Sequence, residues 1–208
     1  MKRTLCLVVA TFIASNLFAQ NIDLPAPKKT GGMPLMEALA KRSTSRAFDS
    51  KDLSPQQLSS LLWASFGVNR PDGKRTAPSA NNHLETDIYV ILKQGAYIYD
   101  AGSNKLILVV AEDIRSLGGT QPFVKDAPVT LVFVADFARM GKGSDENKKN
   151  TANIDVGYIS QNAYLFCASE GLVTGARGSV DRAALGPKLK LRPDQMIILA
   201  QSVGYPKP

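Results

Sequence analysis

The segment Val129-Thr130-Leu131-Val132-Phe133-Val134-Ala135 is an almost wholly apolar run within a chain of 208 residues. A short apolar run rich in β-branched residues is typical of a central strand that is buried on both faces. Such a strand needs other elements to cover the sheet on each side. The run therefore predicts a sheet enclosed between layers of other secondary structure.

The residues before this run predict an antiparallel meander. Residues 88–92, 96–100 and 105–110 each alternate or cluster apolar side chains as strands do. Gly95 separates the first two segments, and the turn-forming residues 101–104 separate the last two. Three successive strands joined by short turns favour hairpin connections in this part of the sheet.

Two helices are predicted ahead of the meander. The first begins at Pro34 and ends at Arg42, with Leu35, Ala38 and Leu39 on one face. The second has Ser54 as its N-cap and Gly67 as its stop signal. Within that second helix Pro55 occupies the first turn, Gln57 completes a capping box, and the core face comprises Leu58, Leu61, Leu62 and Phe66.

The C-terminal part alternates helices and strands. A charged loop is predicted over residues 139–150, followed by a long helix over residues 151–170. The apolar residues at roughly helical spacing in that helix are Ile154, Tyr158, Ile159, Leu165 and Phe166. A strand near residues 172–174, a brief helix near 180–185 and a strand over 196–203 complete the order. The predicted fold is α+β, with helices around one central mixed, mainly antiparallel sheet.

The N-terminus has the pattern of a cleavable signal peptide. Lys2 and Arg3 precede an apolar stretch, and cleavage after Ala19 is expected. The stretch is short for a membrane span, which favours export to the periplasm over an uncleaved anchor, with no stable membrane insertion after cleavage. Removal of residues 1–19 lowers the net charge from +7 to +5 over the remaining residues. Residues 20–32 then form an extended lead-in to one domain over residues 33–208.

The composition narrows the possible functions. Cys167 is the only cysteine after cleavage and His83 is the only histidine, so an intramolecular disulfide and the usual zinc clusters are excluded. A serine or cysteine triad is disfavoured for the same reason. The moderate positive charge suits phosphate-bearing ligands and does not require nucleic acid. An enzyme of this composition would depend on a cofactor for its chemistry, with no metal site.

The segment Arg42-Ser43-Thr44-Ser45-Arg46 is the candidate anion site. Two guanidinium groups separated by hydroxyl-bearing residues can donate charge-assisted hydrogen bonds to a phosphate. A solvated basic turn explains the same residues equally well. The segment alone leaves both interpretations open.

Six segments in order resemble the nitroreductase family of flavoproteins, and in particular its branch of SagB-type dehydrogenases. Arg42, Thr44, Arg46 and Phe48 match the family's opening motif of the form Arg-x-Ser-x-Arg or Lys, then x-Phe. The other five segments are Pro78-Ser79-Ala80-Asn81-Asn82, Gly95 to Asp100, Asp155-x-Gly157 with Gln161-Asn162, Gly175 to Asp181, and Val203 to Lys207.

The resemblance implies a homodimer with FMN at the subunit interface. By motif, Arg42, Ser43, Thr44 and Lys207 would lie at the FMN phosphate, and Arg46 would lie near the pyrimidine edge of the ring. The partner subunit would supply Pro78, Ser79, Ala80 and Asn82. Backbone N–H groups of Gly178 and Ser179 would face the reactive N5 side of the ring. Arg177 is left as either a surface arginine or part of the site.

The resemblance also implies the activity. The first hypothesis is an oxidoreductase that passes a hydride or electrons through FMN, with NAD(P)H or another reductant as donor and a quinone, nitroaromatic or similar small acceptor. The second is a SagB-like dehydrogenase that oxidises a heterocycle in a peptide. The third is a non-enzymatic, exported flavin-binding protein.

Overall fold

A computed structural model describes residues 20–208; the predicted signal peptide lies outside the described residues. The strands are β1 (Ile22–Asp23), β2 (Thr86–Leu92), β3 (Gly95–Asp100), β4 (Lys105–Val110), β5 (Val129–Asp136), β6 (Val173–Arg177) and β7 (Gln195–Gly204). The α-helices are α1 (Leu35–Lys41), α2 (Pro55–Phe66), α3 (Asp145–Ser169) and α4 (Arg182–Lys188). Short 3₁₀ turns cover Ala80–Asn82, Arg115–Gly118, Pro122–Lys125 and Phe137–Met140.

The strands form one seven-stranded sheet in the order β1-β4-β3-β2-β5-β7-β6. All of its pairings are antiparallel. Strand β5 lies between β2 and β7, and every one of its residues is buried. The α+β fold with helices around a central sheet, predicted from the apolar run 129–135, is therefore confirmed.

Each face of the sheet carries its own core. Leu131 and Phe133 of β5 belong to a cluster that includes the buried faces of α2 and α3. Val132 and Val134 point the opposite way, into a second cluster with Leu185 of α4. This alternation follows from the period of two in an extended strand. Because the run 129–135 has apolar residues at both odd- and even-numbered positions, its side chains contribute to both cores.

Helix α2 has the ends that the sequence predicts. The Ser54 hydroxyl accepts a hydrogen bond from the Gln57 N–H at 3.2 Å, and the Gln57 side chain accepts one from the Ser54 N–H at 3.2 Å. Gly67 is the C-cap. The predicted core face is confirmed, because Leu58, Leu61, Leu62 and Phe66 are all buried.

The prediction for residues 139–150 as a loop is wrong in its second half. Helix α3 begins at Asp145, because the Ser144 hydroxyl caps the Asn147 N–H and two acidic residues occupy the first turn. Both features stabilise the positive end of the helix dipole. Charged residues in this stretch therefore start the long helix six residues before the predicted position.

The apolar residues predicted to line one face of α1 and α3 are not all in the core. On α1 only Ala38 is buried, whereas Leu35 is 63% exposed and Leu39 is 44% exposed. On α3 Ile154 and Tyr158 are 60% and 50% exposed. Helical periodicity identifies an apolar stripe on a helix but does not show which residues pack against it. In the described part of the chain, these side chains on α1 and α3 stay exposed.

Smaller boundary corrections concern the turns and the C-terminal elements. Residues 93–94 form the first hairpin turn, and Gly95 already pairs with Leu92. Strand β6 extends to Arg177, since its pairing with β7 continues past the predicted end. Helix α4 begins two residues later than predicted, because the Asp181 side chain caps the Ala184 N–H.

The lead-in from residue 20 is extended and fastened to the domain. The N–H of Lys28 donates to Ser60 on α2 at 3.0 Å, and the N–H of Met33 donates to Ser169 on α3 at 2.7 Å. Ser59 donates to the Pro25 carbonyl at 2.5 Å. These contacts make residues 20–33 a strap across α2. No helix within residues 20–208 is long and apolar enough to cross a membrane.

A buried acidic pair holds the loop that precedes β2. The N–H of Ala80 donates to the Asp155 carboxyl on α3 at 2.8 Å, and Ser79 donates to Glu85 at 2.9 Å. Glu85 and Asp155 are both buried. Burial raises the pKa of Asp155 most, the Ala80 N–H opposes the shift, and the adjacent Glu85 carboxyl adds to it. The loop is therefore fixed to α3 through a carboxyl group that holds its proton more tightly than in water.

We expect Ser54→Ala to lower the free energy of unfolding by about 1 kcal/mol, within a range of roughly 0.5–2, because the N-cap acceptor is lost. Chemical denaturation measures this change. The matched control is Ser116→Ala at an exposed site, expected to change stability by less than about 0.5 kcal/mol. Equal effects in the two variants would contradict a stabilising capping box.

We expect Asp155→Asn to stabilise the protein increasingly as the pH rises. In the folded state the pKa of Asp155 lies above the ordinary 3.8, so this carboxyl lowers stability as the pH climbs from that value to the raised pKa. The asparagine amide can still accept from Ala80 while donating to Glu85. The difference in melting temperature between variant and wild type should grow as the pH rises from 4. It should stay constant once the pH exceeds the raised pKa of Asp155, which measurements up to pH 8 would show. A difference that does not change with pH would refute the tightly held proton.

Candidate functional site

The segment Arg42–Arg46 leaves α1 and lies flat against β6. The N–H of Ser45 donates to the Thr174 carbonyl at 2.9 Å. Gly175 permits this approach, since a Cβ there would come within 2.5 Å of the Ser45 carbonyl oxygen. A side chain at position 175 would push the segment off the strand. The structure therefore places the candidate anion segment along the edge strand of the sheet.

Tyr164 of α3 contacts this segment through its ring and its hydroxyl group. The Arg42 guanidinium lies over the Tyr164 ring, 5.5 Å from its centroid. The Tyr164 hydroxyl is 3.1 Å from that of Thr44 and accepts a hydrogen bond from the Ala176 N–H at 2.9 Å. One tyrosine thus links the segment, the helix and the strand. Ser43 and Thr44 remain exposed beside it.

The loop after β6 carries Gly178 and Ser179 at the surface. The N–H of Thr120 donates to the Ser179 carbonyl at 3.2 Å, and the Gln121 amide donates to the Ser179 hydroxyl at 2.7 Å. A Cβ placed on Gly178 would meet no atom within 4 Å. The backbone there is therefore fixed from one side and open on the other.

Arg177 is buried, which rules out the surface arginine that was one of the two alternatives left open by the sequence. Its Nε and Nη2 donate to the Gly118 carbonyl at 3.0 and 2.6 Å, and its Nη1 donates to the Ser202 hydroxyl at 3.0 Å. Burial lowers the pKa of Arg177 to about 10. The side chain is still protonated at neutral pH, so a positive charge lies inside the protein directly before Gly178.

Lys207 lies at the same edge as the Arg42–Arg46 segment. Phe48 pairs with Pro206 as an isolated bridge, and the N–H of Asp49 donates to the Tyr205 carbonyl at 3.0 Å. Within residues 20–208, Arg42, Arg46 and Lys207 form no ion pair with a carboxylate. Among the described residues, Arg42 and Arg46 beside β6 and Lys207 after β7 are therefore cations without an acidic partner.

The other predicted residues lie elsewhere on the same chain. Pro78, Ser79, Ala80 and Asn82 belong to the loop that Asp155 holds, whereas Thr44 contacts Tyr164. Those two positions on α3 are nine residues apart, which corresponds to about 13.5 Å along the helix. In a single chain the predicted site is thus divided into two parts, which contact α3 at positions far apart along the helix axis.

Two of the cavities among residues 20–208 illustrate the concave regions that lie outside these groups. One of about 430 Å³ lies beneath the strap and is lined by Trp63 of α2 and Asn162 of α3. The other, about 1070 Å³ in volume, lies between the start of α3 and helix α4 and includes Arg182. Neither is lined by the predicted residues.

Sequence reasoning missed several residues that shape this surface. Tyr164 and Gln121 belong to no segment quoted for the resemblance, and their contacts depend on elements far apart in the chain. One local signal for the burial of Arg177 was present, in the pair Gly118-Gly119. A Cβ on Gly119 would collide with the Arg177 side chain, so a glycine is needed where the arginine enters.

Comparison with known proteins gives a consistent result. The profile of the nitroreductase family matches residues 39–205. A protein of Methanocaldococcus jannaschii described as a candidate nitroreductase is 26% identical over 175 residues, covering 79% of this chain and 88% of that protein.

Two solved structures extend the comparison. A candidate nitroreductase from Ralstonia eutropha JMP134 superposes with a TM-score of 0.88 at 41% identity, covering 92% of each chain. An NADPH:FMN oxidoreductase from Vibrio harveyi, solved in complex with NAD⁺, gives a TM-score of 0.64 at 18% identity, covering 84% of this chain and 69% of that one. The second similarity concerns the fold alone.

The family profile spans most of the chain, and the Ralstonia structure shares both its fold and two-fifths of its sequence. This protein therefore belongs to the nitroreductase family, whose members are oxidoreductases.

Proposed function

We propose that this protein is an FMN-dependent oxidoreductase that passes a hydride or electrons to a quinone, nitroaromatic or similar small acceptor. The observation that carries the proposal is the segment beside edge strand β6 that carries Arg42 and Arg46, which, like Lys207 after β7, have no acidic partner within residues 20–208. Cations without acidic partners favour an anionic ligand. The Vibrio harveyi neighbour, which is named for NADPH and FMN, supports this choice.

The residues present suit the FMN phosphate. Arg42 would donate to it as a planar fork, while Ser43 and Thr44 would offer exposed hydroxyl groups. Stacking on Tyr164 limits the motion of the Arg42 side chain, so less conformational entropy is lost on binding. Lys207 would add a second cation from the end of β7. This set of donors is appropriate for a group that carries nearly two negative charges.

The open edge at Gly178 suits the ring of the cofactor. FMN would supply the two-electron chemistry, and the protein would bind, orient and stabilise it. Gly178 would allow the ring to approach the backbone, and Ser179 would be held in place by Thr120 and Gln121. The buried Oε1 atom of Gln121 has no hydrogen-bond donor within the described residues. Arg46 would stabilise negative charge at the pyrimidine edge.

The electron donor in this proposal is NAD(P)H, and its use depends on where the protein acts. Residues 1–19 are proposed to direct export to the periplasm. Nicotinamide cofactors are scarce there, so an exported protein would draw electrons from a different reductant. The chemistry assigned to Arg42, Arg46 and Gly178 does not depend on which donor is used.

The proposal includes a homodimer in which each chain completes the site of the other. Helices α1 and α3 carry large exposed apolar side chains, called the apolar band here: Leu35, Met36, Leu39, Ile154 and Tyr158. A patch of this kind favours a protein interface. Ile154 adjoins Asp155, which holds the 78–82 loop, so a second chain on this band would meet that loop.

We expect FMN to bind the chain that begins at Gln20, and Arg42→Ala to weaken binding by about 10- to 150-fold, the equivalent of roughly 1.5–3 kcal/mol. Flavin absorbance and fluorescence titration measure both. The control is Lys105→Ala, which removes one positive charge from β4, far from β6 in the sheet order. A wild-type protein that binds no FMN would overturn the proposed function, whereas unchanged affinity in Arg42→Ala would remove only Arg42 from the site.

We expect Ile154→Asp to produce a monomer that has lost most of its FMN affinity, because burial of a charge opposes association and the partner's loop is then missing. Sedimentation velocity and flavin titration measure the two effects. Ser116→Asp introduces the same charge at an exposed site outside the apolar band and should leave both unchanged. A wild-type monomer that retains FMN would contradict a shared site.

A further inference from the structure

The buried charge of Arg177 lacks an acidic partner among the residues that the structure describes. Its guanidinium donates to three neutral oxygen atoms, those of Gly118, Gly175 and Ser202. The face of the group also lies over the Phe123 ring, 5.9 Å from the centroid. Burial alone accounts for its lowered pKa, with no acid acting on it. All polar contacts are satisfied, but the charge itself is not neutralised.

An arrangement of this kind is costly to fold. A buried cation loses its hydration, and neutral carbonyl and hydroxyl groups compensate only part of that loss. The chain also gives up a side chain at Gly119 to admit the arginine, since a Cβ there would collide with it. A buried methionine would fill similar space without the desolvation cost. The retained charge therefore calls for a role other than stability.

The position of the charge indicates that role. Arg177 is the last residue of β6, and Gly178 and Ser179 follow it directly at the surface proposed for the FMN ring. The carbonyl of Gly118 that holds the guanidinium lies in the loop whose Thr120 and Gln121 fix Ser179. Because the surroundings of Arg177 are protein rather than water, its field is screened less than that of the exposed Arg46.

We propose that Arg177 raises the reduction potential of the bound flavin by placing a permanent, unpaired positive charge behind the Gly178-Ser179 backbone. This inference rests on the proposed function. Two electrons and one proton enter FMN on reduction, so the bound cofactor gains one negative charge. A hydride donor supplies the electrons and the hydrogen together, whereas with an electron donor such as dithionite the proton comes from solvent. A fixed cation stabilises the reduced form over the oxidised form, as preorganised charges do wherever negative charge develops.

Arg177 touches neither FMN nor substrate in this proposal and acts through its charge. Removing the charge should therefore change the relative affinity for reduced and oxidised FMN more than it changes binding of the oxidised cofactor. The phosphate contacts of Arg42 and Lys207 remain in place. The reduction potential is thus a readout that a purely structural arginine would not shift in this direction.

The experiment measures the midpoint potential of FMN bound to the purified full chain, titrated with dithionite against a reference dye. In Arg177→Met we expect reduced FMN to lose at least tenfold in affinity relative to oxidised FMN, a shift of about 30 mV to more negative potential for a two-electron couple. Arg177→Lys keeps the charge and should restore most of the potential. A folded Arg177→Met protein with the wild-type potential would overturn the inference.

A second pair of variants keeps the arginine and neutralises it. Ser202→Asp places a carboxylate beside Nη1, and Ser202→Asn places a neutral amide of the same size there. The aspartate variant should have the lower potential of the two, and equal potentials would overturn the inference even if Arg177→Met does not fold. Lys105→Gln is the charge control, since β4 lies five strand positions from β6, about 24 Å away.

These outcomes distinguish a failure of the inference about Arg177 from a failure of the proposed function on which it rests. Failure of the wild-type protein to bind FMN removes both together. Normal FMN binding and reduction in wild type, with no effect of neutralising Arg177, removes the role of Arg177 and leaves the proposed oxidoreductase intact.

Discussion

The hydrogen bond from the Ser45 N–H to the Thr174 carbonyl is the contact on which the arrangement of this protein's candidate site depends. It seats the Arg42–Arg46 segment on β6, and it exists because Gly175 has no side chain to hold the segment away. Tyr164 then fixes the same segment to α3. This backbone contact fixes the segment that carries the two arginines after α1. Both arginines therefore become part of the surface along β6.

The second organising constraint is electrostatic. Some charges are neutralised by neighbours, as in the network of Asp136, Arg139 and Arg192. Within residues 20–208, the half-buried Arg42, the exposed Arg46 and Lys207, and the buried Arg177 form no ion pair with a carboxylate. An anionic ligand beside β6 would supply negative charge to this part of the protein.

Local features of the fold were predictable from the sequence. The capping box at Ser54 and the double-sided burial of residues 129–135 follow from contacts within a few residues or from a period of two. The motif segments also led to the correct family, because several were matched in order along the chain. The start of α3 was missed, although Ser144 is a good N-cap, since the charged composition of residues 139–150 was weighed above it.

The sequence by itself determined the α+β class, the main strands and the residue types available to an anion, because hydrogen bonds and side-chain periodicity along one element are encoded locally. Only the tertiary structure decided that Arg177 is buried, that Ile154 and Tyr158 are exposed, and that the 78–82 loop is set apart from Arg42 along α3. Burial and spacing depend on which distant elements pack together. A stripe of apolar residues or a lone arginine gives the same sequence pattern whether it packs against protein, faces water or contacts a second chain.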